Sequence, residues 1–583
     1  MKHTGLAKKA LPIAVLALLA GACSSPKIHF DGVTDGSHDG PPADGQDGPW
    51  DVPGDDGAAV CTGGDVQCTG ENTYNRCRAD GSGWDTGLTC PTGTTCMSGG
   101  CFTPCTFAER NRSSIGCMFY AVDLDQADEL SADTSPYAVI ASNTDDTHTA
   151  SVSLQRKSGT TWTDLERQSL TPNTLYTFRT AADTHVEDTA LSPGAAYRVV
   201  SDFPIVAYQF NPIDSADQWS NDASMLLPVH ALDRWNFVSS WHHFMFGENN
   251  YRSYVAVVGT QDGTEVTVIP STAVVAGGGV PAVGAGTPYT ATLNDGDVLQ
   301  LSSASDAGDM TGTYVESSAP VAVFGGTECS DIPYLCDWCR DVFGNLPGGT
   351  HRENTCAWCD HVEEQMFPLT TWGKTMVAAR VPVRSSGDVA EAAFWRVIAS
   401  EDATTVTINA RPGLTLRFPP GYGTPATLNR GQVLEFELTG PDWDPGDALI
   451  EADKPVLVVQ YIEGQECTNL DAGGGGDPAM VLMIPVEQYL DEYIFLTPNT
   501  YEVDQVIVVR QAGAVITLDD LVLVDERFIP VAAGYEVARV MVGDGVHRIT
   551  GTSAFGIIAV GYSPYVSYAY PGGLSLEVIN PII

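Results

Sequence analysis

EADKPVLVVQY occupies Glu451–Tyr461, and the same phrase recurs as SDFPIVAYQF (Ser201–Phe210), SSAPVAVFGG (Ser317–Gly326) and TSAFGIIAVGY (Thr552–Tyr562). Each copy has a polar or small pair, usually a proline, and then a run of Val, Ile or Ala. A proline has no N–H to donate, so it marks a strand edge or a break in a ladder. The run behind it reads as a buried strand. A second phrase precedes the first in three places: GTEVTVIP (Gly263–Pro270), ATTVTINA (Ala403–Ala410) and AVITLDD (Ala514–Asp520). Between the two lie a turn and a strand, LNDGDVLQL (Leu293–Leu301) and LNRGQVLEF (Leu428–Phe436). In Glu265-Val266-Thr267-Val268-Ile269 polar and apolar residues alternate, as in a strand with one face buried.

Working outward, three opening phrases also match: SMLLPVHALDRWNFV (Ser224–Val238), EEQMFPLTTWGKTMV (Glu363–Val377) and MVLMIPVEQYLDEYIF (Met480–Phe495). Self-similarity at this spacing predicts an all-β region over 118–583. Its four repeats lie at about 118–215, 216–328, 360–467 and 476–575. About seven or eight short strands per repeat suit tandem β-sandwich-like units. A β-propeller is the alternative, because two four-stranded blades would also fit each repeat.

The N-terminus predicts export. Lys2, His3, Lys8 and Lys9 precede a short apolar run, Leu11–Ala20, and then Gly21, Ala22 and Cys23. The run is shorter than the ~20 residues that span a bilayer and reads as a signal peptide, 1–22. The Gly-Ala-Cys step resembles a bacterial lipobox, with Cys23 as the acylated residue. The Leu usual three before the cysteine is here one earlier, as Leu19, with Ala20 in its place. Ser24 lacks the aspartate that retains lipoproteins at the inner membrane, which points to the outer membrane and surface exposure. Residues 23–57 then read as a lipid-anchored acidic tether. Asp31–Gly57 is nearly all Asp, Gly and Pro, with no Lys or Arg from Ile28 to Asn75.

Removing Cys23 from the fifteen cysteines leaves an even number. Cys61, Cys68, Cys77, Cys90, Cys96, Cys101, Cys105 and Cys117 crowd into residues 58–117, where aliphatic residues are few. An exported segment with so thin a core predicts a disulfide module. Cys329, Cys336, Cys339, Cys356, Cys359 and Cys467 form a second group. Cys336-Asp-Trp-Cys339 and Cys356-Ala-Trp-Cys359 have the spacing of a structural zinc site. The oxidising compartment favours disulfides there instead.

The formal charge of −44 disfavours nucleic acid as a partner, since phosphate binding requires a basic surface. No nucleophile elbow, zinc-protease helix or phosphate loop stands in the sequence, and no cofactor, metal or catalytic residue is predicted. Asp360, His361, Glu363 and Glu364 bring acids and an imidazole together. Because the other opening phrases lack the histidine, a structural role is favoured for them. Alternation turns only one of His242 and His243 inward. Trp235, Trp241 and Trp372 read as core anchors. Trp338 and Trp358 lie inside the Cys knuckles of a polar loop, with Arg340 and Arg352 nearby. Aromatics on pinned loops make binding anchors, so these four residues are the candidate contact surface. The competing reading is that both Trp pack on the neighbouring repeat.

Four stretches, AYRVVSDFPIVAYQFNP (Ala196–Pro212), SNDASMLLP (Ser220–Pro228), CDHVEEQMFPLTTWGK (Cys359–Lys374) and GDPAMVLMIPVEQY (Gly476–Tyr489), resemble the N-terminal domain of the IgG Fc-binding protein family. The resemblance runs from about Tyr120 to Gly573. It implies a secreted, disulfide-bonded, non-enzymatic domain of the kind that serves adhesion and mucosal defence. The expected partner is an unidentified protein or glycan at the cell surface. The loop from Cys336 to Cys359 is longer than the family's compact Cys-Asp-His segment.

Overall fold

The recurring phrase is where the chain passes from one sheet into another. In the computed structural model, which describes residues 60–127, 135–180, 184–213, 220–246, 249–333, 359–384, 391–441, 444, 446–465 and 475–582, three of its copies lie within unusually long strands. Strand β1 (Tyr197–Asn211) pairs through Tyr197–Ser201 with Ala150–Ser158. Past Pro204 it pairs with Ala138–Asn143, and then with β2 (Asp222–Met225). Strand β3 (Tyr314–Ser330) pairs through its first half with Thr264–Ile269. Past Pro320 it pairs with Ser253–Gly259, and then with β4 (Asp360–Gln365).

In the third repeat the strand is broken outright. Strand β5 (Ala448–Ala452) ends before Lys454-Pro455, and β6 (Val456–Ile462) begins after it and pairs with β7 (Ala479–Leu482). The fourth repeat has Phe555 where the others have proline, and one strand, β8 (Gly545–Ser563), runs through unbroken. Its first half pairs with Leu490–Thr497, and its second half with Val503–Gln511 and β9 (Val566–Pro571). Proline sits at the switch because its missing N–H falls where neither ladder needs a donor.

Each repeat is thus two antiparallel sheets joined through one crossing element, so the body is all-β and sandwich-like. The outer sheets bury one face: Thr264–Ile269 alternates buried and open positions, as does Thr404–Ala410. The inner sheets are covered on both faces, and every residue of Ser253–Gly259, Ala393–Ala399 and β6 is buried. That is why their sequences are near-continuous apolar runs instead of alternating ones.

The inner edge strands form a closed cycle. Strand β2 lies beside β4, β4 beside β7, β7 beside β9, and β9 beside β2. Two of the opening phrases share one course, an inner strand, a proline and a single 3-10 turn: β2 leads through Pro228 into Val229–Ala231, and β4 through Pro368 into Leu369–Thr371. After β7 the chain turns in the same way behind Pro485, at Val486–Gln488.

Ahead of the repeats, Val66–Gly70, Thr73–Cys77 and Trp84–Thr89 form a small sheet, followed by the hairpin Thr95–Met97/Gly100–Phe102. Disulfides Cys61–Cys77, Cys68–Cys96 and Cys90–Cys101 brace it. Cys105–Cys117 ties the helix Pro104–Arg110 to the first strand of the body, Gly116–Ala121. Among the described residues no helix is long and apolar enough to cross a membrane.

Candidate functional site

The cycle of inner strands is held by acids that accept from the backbone of neighbouring repeats. The Asp222 carboxylate accepts from its own neighbour Ala223 N at 2.8 Å, and from Glu363 N and Met480 N at 3.1 Å each, so it joins β2, β4 and β7. Asp360 accepts from Asn221 N at 2.6 Å, and Gln365 from Leu227 N at 2.7 Å. Glu363 accepts from Gln209 Nε2 and Ser224 Oγ, while its other oxygen faces His361 Nε2 at 3.3 Å. Burial raises the pKa values of Asp222, Asp360 and Glu364 well above the usual carboxylate range. The bonds to backbone N–H groups of three strands make this hub a structural joint, although Asp360 Oδ2 and Glu364 Oε2 keep no hydrogen-bond partner among the described residues. Asp360, His361, Glu363 and Glu364 are brought together by β4, all nearly fully buried, and their bonds reach neighbouring strands.

Strand β3 ends at Ser330, and Cys359 stands one residue before β4. Cys329 bonds Cys359, and both residues are buried. Cys359 is therefore not available as a thiolate of a four-cysteine zinc site. Trp338, Arg340, Arg352, Trp358, Cys336, Cys339, Cys356 and Cys467 lie outside the described residues, as does Cys23.

The other sequence candidates take part in packing. His243 is fully buried, shares a hydrogen bond with Ser303 Oγ at 3.1 Å, and is held near pKa 4 by desolvation. His242 is partly open and meets Arg396 Nη2 at 3.0 Å. Arg396 also pairs with Asp309 (2.8 Å) and Glu435 (2.9 Å), donates to Ser240 O, and lies 4.1 Å over the Trp241 ring. This knot fastens the second repeat to the third. Trp241 and Trp372 are buried core residues whose indole N–H groups donate to Asp331 O and Phe367 O. Trp235 is only half-buried, beneath the guanidinium of Arg234.

The model of the IgGFc binding protein family matches residues 222–561, more than half of the chain. The chain belongs to this family. It is also similar to the IgGFc-binding protein of Homo sapiens, 26% identical over 366 residues. That stretch is 62% of this chain and 6% of the human protein, so the chain spans a small part of its relative's length. The family match begins at β2 and ends within β8, so it takes in all four inner strands but β9.

One acidic group was missed by sequence reasoning. Asp125, Asp188 and Glu328 offer carboxylate oxygens that all lie within 4.8 Å of one another. Far apart in sequence and in no motif, they gave no signal. Glu328 is held where its N–H donates to Arg252 O at 3.0 Å, just past the register of β3 with Ser253–Gly259.

Proposed function

We propose that this is an exported, surface-anchored binding protein, acylated at Cys23, whose acidic tether holds a rigid β body away from the outer membrane. Its contact surface is the loop from Glu328 to Asp360, carrying Trp338, Arg340, Arg352 and Trp358. The observation that supports this reading most is the buried Cys329–Cys359 bond, which ties the end of β3 to the start of β4 at the two ends of that loop. A pinned base lowers the ordering cost of binding, and Trp and Arg are the residues that anchor interfaces best. The family name points to a protein ligand; a glycan remains within the same proposal.

The test uses the acylated full-length chain against IgG Fc, other secreted glycoproteins and free glycans. Saturable binding to one class is expected, weakened roughly tenfold or more when Trp338→Ala and Trp358→Ala are combined. Binding that survives the double substitution removes the contact surface from this segment. Saturation with none of the probes leaves a spacer protein and overturns the reading. Cys23→Ser is expected to shift the chain from the membrane fraction to the soluble one.

A further inference from the structure

The carboxylates of Asp125, Asp188 and Glu328 converge on one face of the second repeat's inner sheet, and that face has an uncommon lining. Ser253–Gly259 pairs with Val298–Ser302 on one side and with β3 on the other. Tyr254 stands opposite both Ser302 and Gly326, and Ala256 opposite Gln300. Residues directly opposite, or two apart on a strand, share a face. Tyr254, Gln300, Ser302 and Glu328 therefore point to the same side, with the small Ala256 and Gly326 between them. The Gln300 amide nitrogen donates to Asp125 at 2.8 Å and to Asp188 O at 2.9 Å, which aims the side chain into the acidic group.

Three oxygens on this face have no partner: Gln300 Oε1, Ser302 Oγ and Tyr254 OH, each on a fully buried residue. A buried acceptor without a donor is costly in a folded protein. Here these oxygens flank carboxylates that are themselves short of positive charge. Arg252 holds Asp188 at 3.0 Å and is the one cation paired with the group among the described residues. Asp188 is exposed while Asp125 and Glu328 are buried, so the site is open to solvent on one side.

We propose that this group is a calcium site at the junction of the first and second repeats. Hard oxygen donors in irregular array, carboxylate and neutral together, suit calcium better than magnesium, which demands a near-ideal octahedron. Ligand oxygens no more than 4.8 Å apart fit around an ion bonded at about 2.4 Å. Asp125 follows the first strand of the first repeat, Asp188 precedes Ala190–Ser192, and Glu328 belongs to β3, so one ion would clamp three segments. Without the ion, burial raises Asp125 and Glu328 well above the usual carboxylate range, and Asp188 and Glu187 reinforce this for Asp125 while His185 opposes it. For Glu328, Asp125 and Asp188 raise the pKa and Arg252 lowers it.

The test is calorimetric titration of CaCl2 into the full-length chain stripped with EGTA. The expected result is one saturable site above the weak background of the Asp-rich tether, and a rise in Tm. Asp188→Asn, at an exposed position, is expected to weaken that site roughly tenfold or more. Terbium luminescence excited through tyrosine supplies a second readout, and Tyr254→Phe, which removes one hydroxyl, is expected to dim it. Calcium that leaves Tm unchanged, or that binds Asp188→Asn as tightly as the parent, overturns the proposal. A result confined to the Trp338 and Trp358 variants has no bearing on it.

Discussion

Asp222 shows what a single buried carboxyl does here. Its two oxygens terminate three backbone N–H groups from three inner strands. Replacing it by alanine leaves those donors buried without an acceptor, at about 1–3 kcal/mol for each. Asp222→Ala is expected to cost about 3 kcal/mol or more in urea unfolding, and Asp222→Asn less, because the amide keeps one acceptor oxygen. Equal stability of the two variants would remove the joint from Asp222. The sequence reading brought Asp360, His361, Glu363 and Glu364 together because they are adjacent. It could not reach Asp222, whose partners on β4 and β7 lie more than a hundred residues away and depend on which strands meet.

At the scale of the strand, the recurring phrase was legible because a proline ahead of a β-branched run has one physical meaning, the end of a ladder. Pro204, Pro320 and Pro455 all stand at the sheet switch. The alternation in Glu265–Ile269 was legible for the same kind of reason, since its sheet buries one face. The closed cycle was not legible. Strands β2, β4, β7 and β9 touch through side chains and acid-to-amide bonds that leave no period in the sequence. Nor was the sandwich-against-propeller choice, because two sheets share each crossing element and either count of strands fits.

The crossing strand also has a place with no spare volume. A Cβ on Gly325 would stand 2.0 Å from Ser239 O, and one on Gly326 would meet Tyr254 OH and Val362 O at 2.4 and 2.6 Å. Gly325→Ala must therefore push β3 off the turn before Trp241, where backbone and not a flexible side chain stands in the way. We expect a loss of at least roughly 1–3 kcal/mol and a lower soluble yield. Gly413→Ala, which meets nothing within 4 Å but has a φ of +98°, separates clash from backbone strain. If Gly325→Ala unfolds at the same urea concentration as the parent, the inner sheet is not close-packed at this point.

Across the whole molecule, the buried acids set how stability follows pH. Burial pushes Asp123, Glu437 and Asp504 up to about 7, and it raises Asp125, Asp222, Glu328, Asp360, Glu364 and Glu463 well above the usual carboxylate range. A carboxyl whose folded pKa is raised keeps its proton in the native state and loses it on unfolding. Its contribution is full below about pH 4 and is lost as pH climbs through the folded value. His230 and His243 act the other way, since desolvation holds both near 4, but their contribution is complete once pH passes the unfolded value of 6.5. Above that point the acids alone decide the slope. In EGTA, Tm is therefore expected to fall steadily from about pH 6.5 to about pH 8.5. Asp222→Asn, which removes one of these groups, is expected to flatten the slope even as it lowers Tm at the acid end. A Tm that holds level or rises over that interval would mean the buried carboxyls are ionised in the folded chain, and the joint between repeats would then have to be an ionic one.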